Sequence, residues 1–254
     1  MHCQPKHKGP VYIWSKNKQL CLLCDEPSDS ALALCSSCQD ELPWLGAQCS
    51  VCALPLPLPL PLPLPAASLT CGQCLQRLPA FRRVIAPWRY DFPVDSLISR
   101  FKHHEKWPFG RLMAELLSQF LHYRYDEGLP RPDCLLPVPL SRRRLRQRGF
   151  NQAGMLAQWL GEHLQLAVEP FLLLRTQDTP AQQGLGAPAR QRNLRQAFAL
   201  AADAPVAGRH LALVDDVLTT GATAQALARL LINAGARQVD VYCLARTARP
   251  DTPD

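Results

Sequence analysis

The chain has 254 residues, 47% of them hydrophobic and 19% charged, with a formal net charge of +7. That length can bury one full core and still carry a small satellite domain, and the composition is that of a folded soluble protein. No apolar run approaches the roughly 18 residues of a membrane span, and the polar, basic stretch Met1 to Lys8 has no apolar segment behind it, so membrane insertion is not expected and a cytoplasmic location is.

A polar tail (residues 1–20) precedes a Cys- and Pro-rich segment, 21–79. Of the eleven cysteines, eight form Cys-x-x-Cys pairs: Cys21/Cys24, Cys35/Cys38, Cys49/Cys52 and Cys71/Cys74. Each such turn places two thiolates on one side of a tight knuckle, and two knuckles complete a closed tetrahedral site, so eight thiolates imply about two structural zinc ions. Redox dithiols would need a thioredoxin-like βαβ unit around each pair, and none is present. Sequential pairing of the knuckles and an interleaved double ribbon both fit the spacing. Cys134 and Cys243 stand in apolar stretches and read as core residues. From Leu54 to Pro65 the dipeptide Leu-Pro repeats, which predicts an extended polyproline II spacer inserted in the metal-bound segment.

Residues 80–130 begin with β-like alternation (Val84, Ile85, Trp88, Tyr90) and continue into helices at about 94–104 and 109–125, a hood-like connecting segment. From 131 to 254, apolar strands alternate with amphipathic helices: strands at Leu135–Leu140, Phe171–Leu174, His210–Val214 and Val239–Leu244, helices over Gly154–Leu166 and Thr223–Ala234. That alternation predicts an α/β fold, a mostly parallel sheet flanked by helices. Two arginine clusters, Arg142 to Arg148 and Arg190 to Arg195, suit phosphate groups, although a solvated surface is the plainer reading of the first.

The segment Leu211 to Thr223, LALVDDVLTTGAT, carries the most specific chemistry. An apolar strand ends in Asp215 and Asp216, and Thr219, Thr220, Gly221, Ala222 and Thr223 then lead into a helix. Backbone N–H groups of such a loop converge on one point in front of a positive helix terminus, a place for a sugar 5′-phosphate. The two acids lie at the carboxyl end of the strand, where open α/β sheets bind ligands, and can accept from ribose hydroxyls.

This segment closely resembles the motif by which type I phosphoribosyltransferases hold phosphoribosyl pyrophosphate (PRPP). Together with the four knuckles, RYDFPVDSLISRFKHH (89–104), VPLSRRRLRQRGFNQ (138–152) and RTQDTPAQQGLGAPARQRNLRQAF (175–198), it makes the chain similar to the ComF (GntX-like) family of competence and DNA-utilisation proteins. The resemblance implies a type I phosphoribosyltransferase-like domain behind an N-terminal double zinc ribbon. It implies that Asp215 and Asp216 act at the reacting sugar, and that Arg148, Gly149, Asn151 and Gln152 sit where these enzymes bind pyrophosphate. It also makes 175–198 a flap contributing Gln177, Arg192 and Asn193, with Lys102 as an additional phosphate contact. Expected ligands are PRPP with Mg²⁺ and single-stranded DNA, with DNA-uptake, helicase or recombination proteins as partners. The expected role is handling incoming single-stranded DNA in natural competence; a transferase with an unidentified acceptor and a PRPP-sensing regulator are the alternatives.

Overall fold

The computed structural model describes residues 19–57, 69–102, 106–177 and 196–248. The chain forms two compact units, 1–41 and 42–254. The first has little apolar material: Leu34 is fully buried and Leu32 nearly so. Short backbone bonds close its knuckles, from Cys21 N–H to the Glu26 carbonyl (2.8 Å) and from Leu22 N–H to that of Ala33 (2.9 Å). Its short helix α1 (Ser36–Asp40) starts where the Asp29 carboxylate accepts from both the backbone N–H and the hydroxyl of Ser36. These bonds hold the Asp29 carboxyl below its ordinary value.

In the second unit, the short helix α2 (Gly72–Gln76) is followed by two edge strands, β1 (Arg83–Ile85) and β2 (Trp88–Arg89). Helices α3 (Val94–Lys102) and α4 (Trp107–Asp126) come next, α3 burying Val94, Leu97, Ile98 and Phe101 along one face. The chain then runs through β3 (Cys134–Pro137), α5 (Arg142–Arg148), α6 (Gln152–Leu164) and β4 (Ala167–Val168). A two-stranded antiparallel ribbon, β5 (Leu173–Arg175) and β6 (Phe198–Leu200), precedes β7 (His210–Leu218), α7 (Ala222–Asn233) and β8 (Gln238–Arg246). The main sheet is parallel throughout, in the order β1–β8–β7–β3–β4, with β2 also paired to β8. Its two central strands are covered on both faces: Leu211 to Val214 and Leu244 to Ala245 are fully buried, which is why they read as continuous apolar runs.

Strand ends differ from the sequence expectation for physical reasons. The run from Leu135 to Leu140 leaves the sheet at Pro137, because Pro137 and Pro139 carry no N–H for a ladder; Val138 N–H still donates to the Val214 carbonyl at 2.9 Å. The strand expected to end at Val214 continues to Leu218, matched by β8 as far as Arg246. At the opposite end of the sheet, buried Asp240 and His210 pair at 3.0 Å, and the other ring nitrogen of His210 faces the Arg131 carbonyl at 3.1 Å.

The second pair of knuckles belongs to this unit and covers the β1/β2 edge. Val84 N–H donates to the Val51 carbonyl, Leu45 N–H to that of Pro87 and Arg89 N–H to that of Pro43, each at 2.8 Å. Trp44 packs on Trp88 with ring centroids 5.5 Å apart, and Ala53 joins the main core. An edge whose donors and acceptors are used this way cannot recruit a foreign strand. Among the described residues no helix is long and apolar enough to cross a membrane.

Candidate phosphate site and metal centres

The eight knuckle thiols gather into two groups, Cys21, Cys24, Cys35 and Cys38, and Cys49, Cys52, Cys71 and Cys74, with the sulfurs of each within 4.8 Å of one another. Pairing is therefore sequential. The Cys24–Cys35 and Cys52–Cys71 sulfurs stand 3.8 and 3.6 Å apart. A tetrahedron of Zn–S bonds of about 2.3 Å has edges of about 3.8 Å, so the donor set fits zinc. At Cys21 burial opposes ionisation, but backbone N–H groups of Cys35, Cys24 and Leu23 outweigh it and bring the thiol down to about 6. At Cys49 the N–H groups of Cys71, Cys52 and Val51 do the same, to about 7. Both knuckles thus present a thiolate ready for a cation.

The carboxyl end of β7 carries the paired acids. Asp215 accepts the N–H of Asp216 at 2.9 Å, and Asp216 that of Val217 at 2.7 Å. Burial pushes the Asp215 carboxyl up to about 7, and the neighbouring Asp216 charge adds to it; Lys102 and Arg144 pull the other way without cancelling the effect. Lys102, at the end of α3, places its ammonium 3.0 Å from Asp216 Oδ2, with both side chains mostly buried. So Lys102 meets the acids directly, not a distant surface.

Beyond the acids the chain turns at Gly221, whose φ of +74° is the left-handed conformation that L side chains avoid, and enters α7. Ala222 N–H is taken by the Thr220 hydroxyl at 3.3 Å. The N–H groups of Thr219, Thr220, Gly221 and Thr223 donate to nothing among the described residues. Four free donors at the start of a twelve-residue helix give a positively polarised end suited to an anion.

The Arg148–Gln152 segment sits at the junction of α5 and α6. Gly149, with φ +79°, closes α5, and the Asn151 side chain caps α6, accepting from Ala153 N–H while donating to the Val138 carbonyl. Gln152 is 1% exposed, and its amide nitrogen has no hydrogen-bond partner among the described residues. Arg192 and Asn193, most of the Leu-Pro repeat, and the 1–18 tail lie outside the described residues.

Two long-range roles escaped the sequence reading. Arg144, read there only as a member of the first arginine cluster, is the α5 arginine whose charge reaches Asp215. It stands one helical turn from Arg148, a spacing that would have marked the shared face once α5 was recognised from its Ser141 cap. Arg246 is buried, and its guanidinium donates to the carbonyls of Cys52 (3.0 Å), Leu218 (3.1 Å), Thr247 (2.9 Å) and Thr219. It ties the second cysteine cluster to the start of the loop after β7. No local pattern signals this, because its partners are backbone atoms distant in sequence.

Residues 18–75 match the double zinc ribbon domain and residues 157–254 the phosphoribosyl transferase domain. The fold is accordingly the type I phosphoribosyltransferase-like one, a parallel sheet flanked by helices with an N-terminal double zinc ribbon. Among solved structures, the glutamine PRPP amidotransferase from B. subtilis is 19% identical with a TM-score of 0.35, covering 53% of this chain and 25% of that one. Adenine phosphoribosyltransferase from Leishmania tarentolae is 16% identical with a TM-score of 0.35, covering 52% of this chain and 70% of that one. Among curated relatives, the DNA utilization protein YhgH of Salmonella typhi is 38% identical over 90% of this chain and 97% of its own length. Competence protein F of Haemophilus influenzae is 33% identical over 84% of this chain and 90% of its own. On this identity across nearly the full length of its relatives, the chain belongs to the ComF family of DNA-utilisation and competence proteins.

Proposed function

We propose that the protein serves natural competence as a cytoplasmic factor that handles incoming single-stranded DNA. In this reading the loop after β7 holds PRPP or the 5′-phosphorylated end of a strand. The observation that carries it is the set of free N–H groups at Thr219, Thr220, Gly221 and Thr223 in front of α7, beside two acids on the same strand. The phosphate accepts from the N–H groups, and the ribose hydroxyls donate to Asp215 and Asp216. Lys102 offsets the repulsion between the acids and an incoming anion, and Arg144 and Arg148 meet a diphosphate from the α5 side. Mg²⁺ accompanies PRPP as part of the ligand, its charge balancing the pyrophosphate. The names of the relatives, a DNA utilization protein and a competence protein, support the DNA side of this reading.

The test is calorimetric titration with Mg²⁺-PRPP, inorganic phosphate and a 5′-phosphorylated oligonucleotide. Asp216→Ala weakens PRPP by ten- to a hundredfold, about 1.5–3 kcal/mol for a charge-assisted contact, and weakens inorganic phosphate far less. Failure of the wild-type protein to bind any of the three ligands refutes the cradle. Pyrophosphate release on mixing with PRPP and a nucleobase would instead establish a transferase.

A further inference from the structure

A cavity of about 330 Å³ lies away from the acids, between the Cys49/Cys52 knuckle, β1 and α4. Its walls are the knuckle stretch Gly46 to Val51, the strand stretch Arg82 to Ala86, and Phe120 and Arg124 of α4. Three arginines line it and no carboxylate does. Arg82 is exposed and makes no ion pair among the described residues. Arg83 reaches Asp240 only at 3.9 Å, and that carboxylate is already held by His210; its buried Nε has no hydrogen-bond partner among the described residues. Arg124 lies over the Phe120 ring and 3.2 Å from Glu127, but its Nε is not aligned for a hydrogen bond.

Neither Asp240 nor Glu127 lines the cavity, so its three guanidinium groups leave an excess of positive charge facing it that an anion would offset. The planar fork of arginine matches the oxygens of a phosphate, and Phe120 adds an apolar wall for a sugar or base. β1 pairs with Asp240 to Tyr242 in the first half of β8, whereas the phosphate loop follows the residues facing Arg246. The two places are therefore separated by about 15–20 Å along the strand direction. Two phosphate-fitting places so far apart suit a polymer with repeating phosphates better than one small ligand.

We propose that this arginine-lined cavity is a second phosphate site, taking a backbone phosphate of single-stranded nucleic acid. The source of the phosphate rests on the DNA-handling reading; the anion site itself does not. The test measures binding of a twenty-residue oligothymidylate by fluorescence anisotropy over a salt series. It compares wild type, the double variant Arg82→Gln/Arg124→Gln, and a charge-matched control, Arg77→Gln/Arg229→Gln, whose arginines do not line the cavity. Arg83 is left intact because it also stands beside the buried Asp240. The expected result is about tenfold weaker binding than the control, with the slope of log K against log salt shallower by about 0.7, for the one phosphate no longer neutralised. Zinc content and PRPP affinity stay at the wild-type level. Equal affinity and slope in the two double variants overturns the site. If calorimetry shows that only inorganic phosphate binding falls in the cavity variant, the site takes a free phosphate and the strand assignment fails. If wild-type protein does not bind the oligonucleotide, both this proposal and the DNA-handling reading fail, whereas wild-type binding with indistinguishable double variants defeats the proposal alone.

Discussion

Asp215→Asn keeps the side-chain shape and the acceptor for Asp216 N–H, which sits 2.9 Å away, while removing a charge that burial opposes. The Asp215 carboxyl is raised from 3.8 to about 7 in the folded protein. Three units at about 1.4 kcal/mol each give an upper bound of about 4 kcal/mol for the cost of ionising it in place. The sign follows from linkage. Below pH 3.8 the carboxyl is protonated in both states and costs nothing. As pH rises the unfolded chain releases the proton first, so this group's contribution to stability falls until about pH 7 and is flat above. Urea unfolding of zinc-loaded wild type and variant at pH 6, 7 and 8 reads this directly, since effects on the thiolates are common to both and cancel in the difference. Between pH 6 and pH 8 the variant gains on the order of 1 kcal/mol on wild type, most of it below pH 7.5. A difference that stays constant with pH, or moves toward wild type, refutes the reasoning. The acid would then be solvated, and the site would carry no stored electrostatic cost.

Arg246→Met removes a buried charge-assisted clamp and strands the carbonyls of Cys52 and Thr219; it costs on the order of 3–5 kcal/mol in urea unfolding, and a loss below about 1 kcal/mol refutes the clamp. Elemental analysis finds about two zinc ions per chain, with Cys24→Ser and Cys71→Ser each losing one. Only Cys71→Ser also weakens phosphate binding, because Cys52 in its cluster is bonded to Arg246; equal phosphate affinity in the two variants argues against that link. Gly221→Ala meets nothing within 4 Å of its new Cβ, so its cost is backbone strain alone, about 1–2 kcal/mol by thermal unfolding.

The cysteine clusters and the turn from β7 into α7 were legible in sequence because both are local. A Cys-x-x-Cys turn places its own sulfurs, and a strand, two acids and a glycine turn place their own donors within thirteen residues. The parallel sheet was legible for a related reason: strands buried on both faces leave unbroken apolar runs, as in Leu211 to Val214. Helix α5 went unseen because its exposed arginines have no apolar face to give a period, and only its end caps mark it. Sequential pairing of the knuckles was settled by the tertiary structure, since the spacing served an interleaved ribbon equally well. So were Lys102 on Asp216, Arg246 between the second cysteine cluster and the loop after β7, and three arginines around one cavity. Each depends on residues far apart in the chain, 194 positions in the case of Arg246 and Cys52, or on backbone carbonyls that any sequence offers. A chain's local pattern specifies what a segment can become, but long-range neighbours are chosen by the packing of the whole core.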